Sequence, residues 1–303
     1  MRPTLVTGAG GFIAGNLIPR LLAAGHHVVA VIRPGGSAAP ETSFPGQLTV
    51  AECDLADPTV VGTVVERYRP SAIVNLAVSR ASDVHHSRGV NSVGVGALVE
   101  AASAIDAYLV HAGSSTEYGM HDRPLGPDTQ CRPSSALGVT KLEACRKVSA
   151  EIRRGRLRGC VLRIFHAYGA GEPAGRLVPR ALHAARSGDP LPLTPPGAGH
   201  DLIDVADVVS AILACIDTGL TVAQPIDVCT GTCILNEAVA DIVEAETGQP
   251  IDRRVGGFAS RDWDRPIWTG DGAALTAILG RPPRSLPEGI RALLHTSSAE
   301  SCR

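Results

Sequence analysis

Aromatic residues are scarce in this sequence: phenylalanine, tyrosine and tryptophan together make up 3% of its 303 residues. Hydrophobic residues still reach 44%, so alanine, valine, leucine and isoleucine must build the sizeable core that a chain of this length can bury. Runs of about eighteen or more apolar residues are also lacking, which predicts that no segment spans a membrane. The chain begins MRPTLVTGAG and enters a predicted strand at once, which leaves no room for a signal peptide.

An excess of one charge is lacking as well. The formal net charge is −2 and no block of like charges is present, which argues against a nucleic-acid partner held by a basic surface. The eight cysteines form no C-x-x-C pair and the histidines follow no metal-ligand spacing, so no metal site is predicted. Several cysteines lie in apolar runs, which favours free thiols in the reducing cytoplasm over disulfides.

Short β-branched runs alternate with helical patterns over the first two-thirds of the chain. The predicted strands cover residues 3–7, 28–32, 48–52, 72–77, 107–112 and 160–165. Most of these runs are apolar throughout, as in strands that are covered on both faces. The alternation predicts an α/β fold, a doubly wound parallel sheet of the Rossmann type.

The amino-acid composition changes after about residue 170, where proline and glycine become frequent. We expect a dinucleotide-binding domain over 1–168 and a smaller C-terminal α/β substrate-binding portion over 169–294. Some segments of that portion, for example 200–230, should return to the first domain. Residues 295–303 are polar and are predicted to form a disordered tail.

A glycine-rich turn, TGAGGFIA, joins the first predicted strand to the first predicted helix. Gly8 permits a tight turn, Gly11 lets the backbone approach a pyrophosphate, and Ala14 is small enough for the helix to pack on the sheet. The helix that begins at Phe12 and Ile13 offers unpaired N–H groups and the positive end of its dipole to phosphates. This context predicts a dinucleotide site.

The end of the second strand carries Ile32 and Arg33. Sites that prefer NAD usually have an acidic residue here for the ribose 2′-hydroxyl, whereas a guanidinium suits a 2′-phosphate. The predicted cofactor is therefore NADP, with NAD as the alternative.

Later segments resemble, in order, those of the extended short-chain dehydrogenases/reductases, the NAD-dependent epimerase/dehydratase family. The resemblance rests on TGAGGFIA (7–14), Asp54-Leu55, NLA (75–77), SSTEYG (114–119), RIFHAYG (163–169), HDLIDVADV (200–208), DVCTG (227–231) and RDWDRPIWTGD (261–271). Within the family, these segments look most like those of GDP-4-keto-6-deoxymannose reductases and related enzymes that modify nucleotide sugars. The matches span about residues 4–294.

The resemblance implies an oxidoreductase or epimerase that acts on a nucleotide sugar. It also implies a homodimer paired through helices near 91–104 and 138–153, whose small apolar faces carry Val93, Ala97 and Ala101 in the first and Val139, Leu142 and Cys145 in the second. Implied cofactor contacts, besides those of the turn and Arg33, are Asp54, Leu55, Ala77 and Lys141. Implied substrate contacts are Thr116, His166 and Arg261. Implied catalytic positions are Ser114 and Lys141, with Tyr118 and His166 as further candidates. His166 is a candidate because a histidine ordinarily titrates near neutral pH.

One position departs from the family. The family's reaction needs a tyrosine four residues before the lysine, on one helix face, and Leu137 stands there before Lys141. Leucine has no proton to give, and a positioned general acid contributes about 10²–10⁴-fold.

Three alternatives follow from this substitution. Another group, such as Tyr118, His166, Ser115 or a water held by Ser114, could supply the proton; the reaction could need no phenol; or the chain could bind cofactor and ligand as a silent binding or regulatory protein. A role as a 4,6-dehydratase is disfavoured, because those relatives place an acidic residue where this chain has Thr116.

Overall fold

The computed structural model describes residues 2–36, 46–258 and 268–300. The chain divides into two compact units. The first comprises residues 1–119, 127–164 and 209–227, and the second comprises 120–126, 165–208 and 228–303. The boundary predicted at residue 168 is found at Ile164 in the structure. The later segment that rejoins the first unit is 209–227, which is shorter than the predicted 200–230.

The first unit is built on a seven-stranded sheet. Its strands are β1 (Thr4–Thr7), β2 (Val28–Ile32), β3 (Leu48–Glu52), β4 (Ala72–Asn75), β5 (Tyr108–Ser114), β6 (Arg158–Ile164) and β11 (Ile226–Val228). Their order is β11-β6-β5-β4-β1-β2-β3, and β1 to β6 pair in parallel. The reversal of strand order at β1 is that of a doubly wound Rossmann sheet, so the predicted fold class is confirmed.

Helices cover this sheet. They are α1 (Phe12–Ala23), α2 (Pro58–Tyr68), α3 (Val84–Arg88), α4 (Gly94–Ala104), α5 (Ala136–Arg153) and α7 (Val205–Thr218), with a π-helical turn at Gly89–Val93 before α4. Their ends follow local chemistry. The Asp57 side chain caps α2, which has Pro58 in its first turn, and Ser135 caps α5 through the Gly138 N–H.

The core beneath α4 and α5 accounts for the apolar side chains on one face of the strands. Leu5, Ile73 and Leu109 on the sheet pack into one buried cluster with Leu98 of α4 and Val148 of α5. The sequence analysis predicted that small apolar residues of these two helices form a dimer surface. For three of those residues the structure shows otherwise. Ala97 and Cys145 belong to the same cluster and Leu142 is buried, so these three side chains face the core of their own subunit.

The second unit holds short strands and the remaining helices. These are β7 (His166–Tyr168), β8 (Leu191–Leu193), β9 (Gly199–His200), β10 (Leu202–Asp204), β12 (Ile234–Leu235), β13 (Arg253–Val255), α6 (Leu177–Ser187), α8 (Asn236–Thr247), α9 (Ala273–Leu279) and α10 (Leu286–Glu300). The strands pair as β10-β7, β12-β9 and β13-β8. No helix in the described ranges is long and apolar enough to cross a membrane.

The end of the chain differs from the sequence-based expectation. Residues 295–300, expected in a disordered tail, continue α10 to Glu300. The helix is anchored because Leu286 and Ile290 are buried in the core of the second unit, and propagation adds a hydrogen bond per residue once a helix has begun. Residues 301–303 lie outside the described residues.

Candidate active site

The turn between β1 and α1 has the backbone of a phosphate cradle. Gly8 has φ +66°, and a Cβ there would lie 2.7 Å from the backbone nitrogen of Ala77. Glycine is therefore required both by conformation and by the close approach of the chain after β4. The Gly11 N–H donates to the Gly8 carbonyl at 2.9 Å, which closes the turn.

The N-terminus of α1 opens onto a cavity. Gly11 caps the helix without a side-chain hydrogen bond, and the first turn contains no acidic residue, so its N–H groups and positive dipole end are available to an anion. The cavity has a volume of about 290 Å³ and is lined by Gly8, Ala9, Gly10, Gly11, Ile32, Arg33, Gly36, Leu76, Ala77 and Val78. The structure thus brings the glycine turn, Arg33 and Ala77 together, as the sequence predicted them for one cofactor.

Two further predicted cofactor residues follow β3. Asp54 is exposed, and its carboxylate accepts the N–H of Ala56 at 2.9 Å. Leu55 is buried, and a Cβ on Gly94 would lie 2.1 Å from the Leu55 carbonyl oxygen. The start of α4 therefore packs directly on this loop and holds it in place.

Ser114 ends β5 and begins a short 3₁₀ turn, Ser115–Glu117. Its Oγ accepts hydrogen bonds from the Thr116 hydroxyl at 2.8 Å and from the Thr116 N–H at 3.2 Å. With two bonds accepted, the Ser114 hydroxyl can use its own proton as a donor to a substrate oxygen. Thr116 was predicted to contact the substrate. In this structure its hydroxyl and N–H donate hydrogen bonds to Ser114.

Beneath this turn lies a buried ion pair that sequence reasoning missed. Glu117 Oε2 accepts from Arg163 Nε at 2.8 Å, with side chains 0% and 6% exposed. The other carboxylate oxygen accepts the N–H of Ser114 at 2.8 Å. Glu117 is thus committed to holding β5, β6 and Ser114 together, which supports the argument against a dehydratase acid at this position.

Tyr118 is fully buried, and its hydroxyl lies 2.8 Å from the nearer carboxylate oxygen of Asp227. Burial, followed by the Asp227 charge, raises the pKa of this phenol well above its ordinary value. Its ring also lies under the Arg163 guanidinium, 4.6 Å from the ring centroid. These contacts favour a structural role for Tyr118 and weigh against it as the missing acid.

Leu137 and Lys141 lie one turn apart on α5. A Cβ on Gly138 would come within 2.4 Å of the Thr116 carbonyl oxygen, so the first turn of α5 packs against the turn that carries Ser114. Lys141 is 4% exposed and its Nζ donates to the Ala112 carbonyl at 2.8 Å. Burial lowers the pKa of Lys141 to about 8, against an opposing contribution from Glu117.

A buried polar chain crosses the sheet near these groups. Thr7 donates to the Asn75 side-chain oxygen, and the Asn75 amide bonds His111 Nδ1 at 2.9 Å. Burial and then the Lys141 charge hold the pKa of His111 well below its ordinary value, so this imidazole is neutral. Asn75, which replaces the histidine of the resembling family segment, therefore has a histidine as its neighbour on the next strand.

The second unit contains its own cleft, with a volume of about 290 Å³. The charged and polar side chains along it are those of His166, Glu172, Arg176, Arg180, Thr194, His200 and Asn236. His166 was predicted from the sequence, whereas the two arginines and Glu172 were missed. The sequence feature that could have indicated Glu172, Arg176 and Arg180 is the charge pattern of GEPAGRLVPR (171–180). This segment leads into α6.

His166 stacks on His200, with ring centroids 4.0 Å apart. Burial, then His200 and Arg176, hold the pKa of His166 well below its ordinary value, so its ring is neutral near pH 7. This corrects the expectation that it titrates near neutrality. Neutral imidazole offers one donor and one acceptor, which suits substrate binding better than proton donation.

Arg261, the remaining predicted substrate contact, lies outside the described residues. Within the described ranges no group of three or more histidine, cysteine, aspartate or glutamate side chains could hold a metal ion.

Known proteins share the sequence pattern and the fold of this chain. Residues 4–229 match the model of the NAD dependent epimerase/dehydratase family. A dTDP-6-deoxy-L-talose 4-dehydrogenase (NAD(P)+) from Kitasatospora kifunensis is 31% identical, over 95% of this chain and 93% of the relative. A dTDP-glucose 4,6-dehydratase from Neisseria gonorrhoeae is 27% identical, over 71% of this chain and 69% of the relative.

Among solved structures, MoeE5 in complex with UDP-glucuronic acid and NAD is 27% identical and superimposes with a TM-score of 0.83, over 98% of this chain and 99% of the other. The glycine turn, the parallel sheet and the match to the family model all indicate the same family. The chain belongs to the NAD-dependent epimerase/dehydratase family.

Proposed function

We propose that this protein is an NADP(H)-dependent reductase or epimerase that acts on a nucleotide-activated keto-sugar and delivers its proton without the family's tyrosine. The observation that carries the proposal is Lys141. A buried ammonium is costly unless charges or hydrogen bonds compensate it. Among the described residues, the acceptor shown for Lys141 Nζ is one backbone oxygen, that of Ala112. Ribose hydroxyls of a bound dinucleotide would supply the further acceptors.

The cofactor fits the residues present. The cradle at Gly8 and Gly11 has room for a pyrophosphate and none for a Cβ at Gly8, and Arg33 lines the same cavity. When bound, the nicotinamide supplies or accepts hydride. Arg33 would hold the 2′-phosphate, and Lys141 would hold the nicotinamide ribose.

The relatives and the residues of the second unit support the proposed substrate class. Relatives are named for dTDP-sugars, and a similar structure holds UDP-glucuronic acid. The cleft of the second unit presents two guanidinium groups, Arg176 and Arg180, which can bind a diphosphate. The Ser114 hydroxyl, whose own proton is available as a donor, would suit polarisation of a carbonyl.

The second candidate function is a silent or non-redox member that binds the cofactor and regulates a partner. The observation that favours it is Leu137, which has no proton to transfer at the tyrosine position. Both candidates share the dinucleotide cradle, so only turnover separates them.

The test combines binding and turnover. Calorimetry should show that NADPH binds more tightly than NADH and that Arg33→Ala narrows the difference. Equal dissociation constants for wild type would refute the cofactor assignment. Oxidation of NADPH with a panel of dTDP- and UDP-4-keto-sugars, followed at the nicotinamide absorbance band, should find a substrate. Binding of NADPH without turnover on any of them would support the silent alternative.

The active form should be a homodimer paired through α4 and α5. Because Ala97, Leu142 and Cys145 are buried in the subunit core, the contact must use other residues of these helices. Val93, just before α4, is 40% exposed and is one available apolar side chain. A monomer mass by light scattering at micromolar concentration would refute the dimer.

A further inference from the structure

Glu172 stands out among the groups that line the cleft of the second unit. Its side chain is 4% exposed, and Oε2 has no hydrogen-bond partner among the described residues. Oε1 lies 3.4 Å from Arg176 Nε, a long separation for a charge-assisted bond. A buried carboxyl group therefore lines the cleft with one oxygen that has no hydrogen-bond partner among the described residues.

The ionised form of this group is poorly compensated. Burial raises the pKa of Glu172 to about 7, and Arg176 and the Gly169 N–H oppose that rise only in part. Near neutral pH the side chain is thus divided between a carboxylate, which only accepts hydrogen bonds, and a carboxylic acid, which can donate one.

The rest of the cleft is arranged for an anion. Arg180 donates to the Pro192 carbonyl at 3.0 Å and lies over the Phe258 ring at 4.6 Å, which fixes its guanidinium, and Arg176 is 42% exposed. His166 is neutral, for the reasons given above, and stacks on His200. Two positive charges beside an uncharged ring attract an anion, whereas an ionised Glu172 would repel it.

We propose that Glu172 is a proton-linked substrate-binding residue: it enters the complex as the neutral acid and donates its hydrogen to a phosphoryl oxygen of a nucleotide sugar. The inference rests on the proposed function for its ligand class. The only covalent change is at the Glu172 carboxyl group. If that group is ionised in the free protein, it takes up one proton from solvent when the ligand binds. Arg176 and Arg180 neutralise the diphosphate, and Glu172 makes its binding depend on pH.

The sign of the dependence follows from linkage. Below about pH 7 the free protein already carries the proton, so affinity is at its plateau. Above that pH the proton must be taken up on binding, and the association constant should fall by about tenfold per pH unit. UDP-glucose and dTDP-glucose are suitable probes, because their diphosphate diesters do not titrate between pH 6 and pH 9.

The experiment is calorimetry of wild type with both probes from pH 6 to pH 9, in buffers of different ionisation enthalpy. We expect uptake of about one proton per ligand at pH 8.5 and little at pH 6. Glu172→Gln keeps a donor and cannot titrate, so it should bind as wild type does at pH 6 and lose the pH slope. Glu246→Gln, in a carboxylate that pairs with Arg291 at 3.2 Å and does not line the cleft, should keep the wild-type slope.

The outcomes are distinct. A pH-independent wild type would overturn this inference alone, and so would a slope that persists in Glu172→Gln, because the linked proton would then belong to another group. Failure of both nucleotide sugars to bind at any pH would overturn the proposed substrate class together with it. The proton-uptake measurement uses wild type only, so its absence at pH 8.5 would overturn the inference even if Glu172→Gln did not fold; Glu172→Ala, which removes the carboxyl group, is the second variant and should likewise lose the pH slope.

Discussion

The buried pair Glu117–Arg163 gives the sharpest stability prediction. In Glu117→Gln the side chain keeps its shape and an oxygen that can still accept the Ser114 N–H, but its charge is lost. Arg163, 6% exposed and 2.8 Å away, is then a buried cation whose carboxylate partner is gone. Removing one member of a buried pair typically costs about 3–5 kcal/mol, so we expect a loss of that size in the free energy of unfolding.

The magnitude is checked by urea unfolding and by the melting temperature. A loss of about 3–5 kcal/mol should lower the Tm by about 5–15 °C. The double variant Glu117→Leu/Arg163→Met, which removes both charges, should be destabilised less than Glu117→Gln. Glu66→Gln is the matched control, since Glu66 pairs with Arg69 at 2.6 Å with both side chains more than half exposed. It should change stability by at most about 1 kcal/mol.

A Glu117→Gln protein within about 1 kcal/mol of wild type would refute this reasoning. It would mean that Arg163 finds sufficient compensation from the thiols near it, Cys131 Sγ at 3.4 Å and Cys145 Sγ at 3.7 Å.

Two further variants test the first unit. Leu137→Tyr should raise reduction of a keto-sugar by at least about tenfold, because it places a phenol one turn before Lys141; no gain, measured by NADPH oxidation, would mean that the pocket is rebuilt around leucine. Gly8→Ala should abolish measurable NADPH binding, because its Cβ would lie 2.7 Å from Ala77 N. Gly25→Ala, with φ +85° and no atom within 4 Å of its Cβ, has the same backbone strain without the contact and should bind NADPH as wild type does.

The parts of the molecule that could be predicted from the sequence are those with a local cause. Strand positions followed from apolar runs, and all six predicted strands are present with ends shifted by at most a few residues. The glycine turn could be recognised because conformation and close packing at Gly8 restrict one position to one residue type. Arg33 could be placed beside the glycine turn, with which it lines one cavity, because the second strand of this fold ends next to the first turn.

The parts that could not be predicted depend on pairs distant in the chain. Glu117 meets Arg163 across 46 residues, and Asn75 meets His111 across 36. Each residue alone is an ordinary polar side chain in a strand or turn. The buried state of Ala97, Leu142 and Cys145 likewise depends on which helix face meets the sheet, and the small apolar residues of α4 and α5 do not single out one face.

The identity of the proton donor can be narrowed from the burial of each candidate. Tyr118 is held by Asp227 with its pKa raised, and His166 is neutral near pH 7. The Ser114 hydroxyl can donate a hydrogen bond but must regain any proton it transfers. Lys141 is protonated at neutral pH, and its pKa of about 8 is close to that of an efficient general acid near neutrality.

If Lys141 supplies the proton, directly or through Ser114 or a water, keto-sugar reduction should decline as pH rises through about 8, because the ammonium form is lost. In Leu137→Tyr the phenol takes over the transfer, so the decline should move to a different pH. Both follow from kcat measured between pH 6 and pH 10 with keto-sugar and NADPH both saturating, so that the proton-linked binding proposed for Glu172 does not contribute. A wild-type profile that is flat across this range would exclude Lys141 as the acid and leave solvent as the proton source.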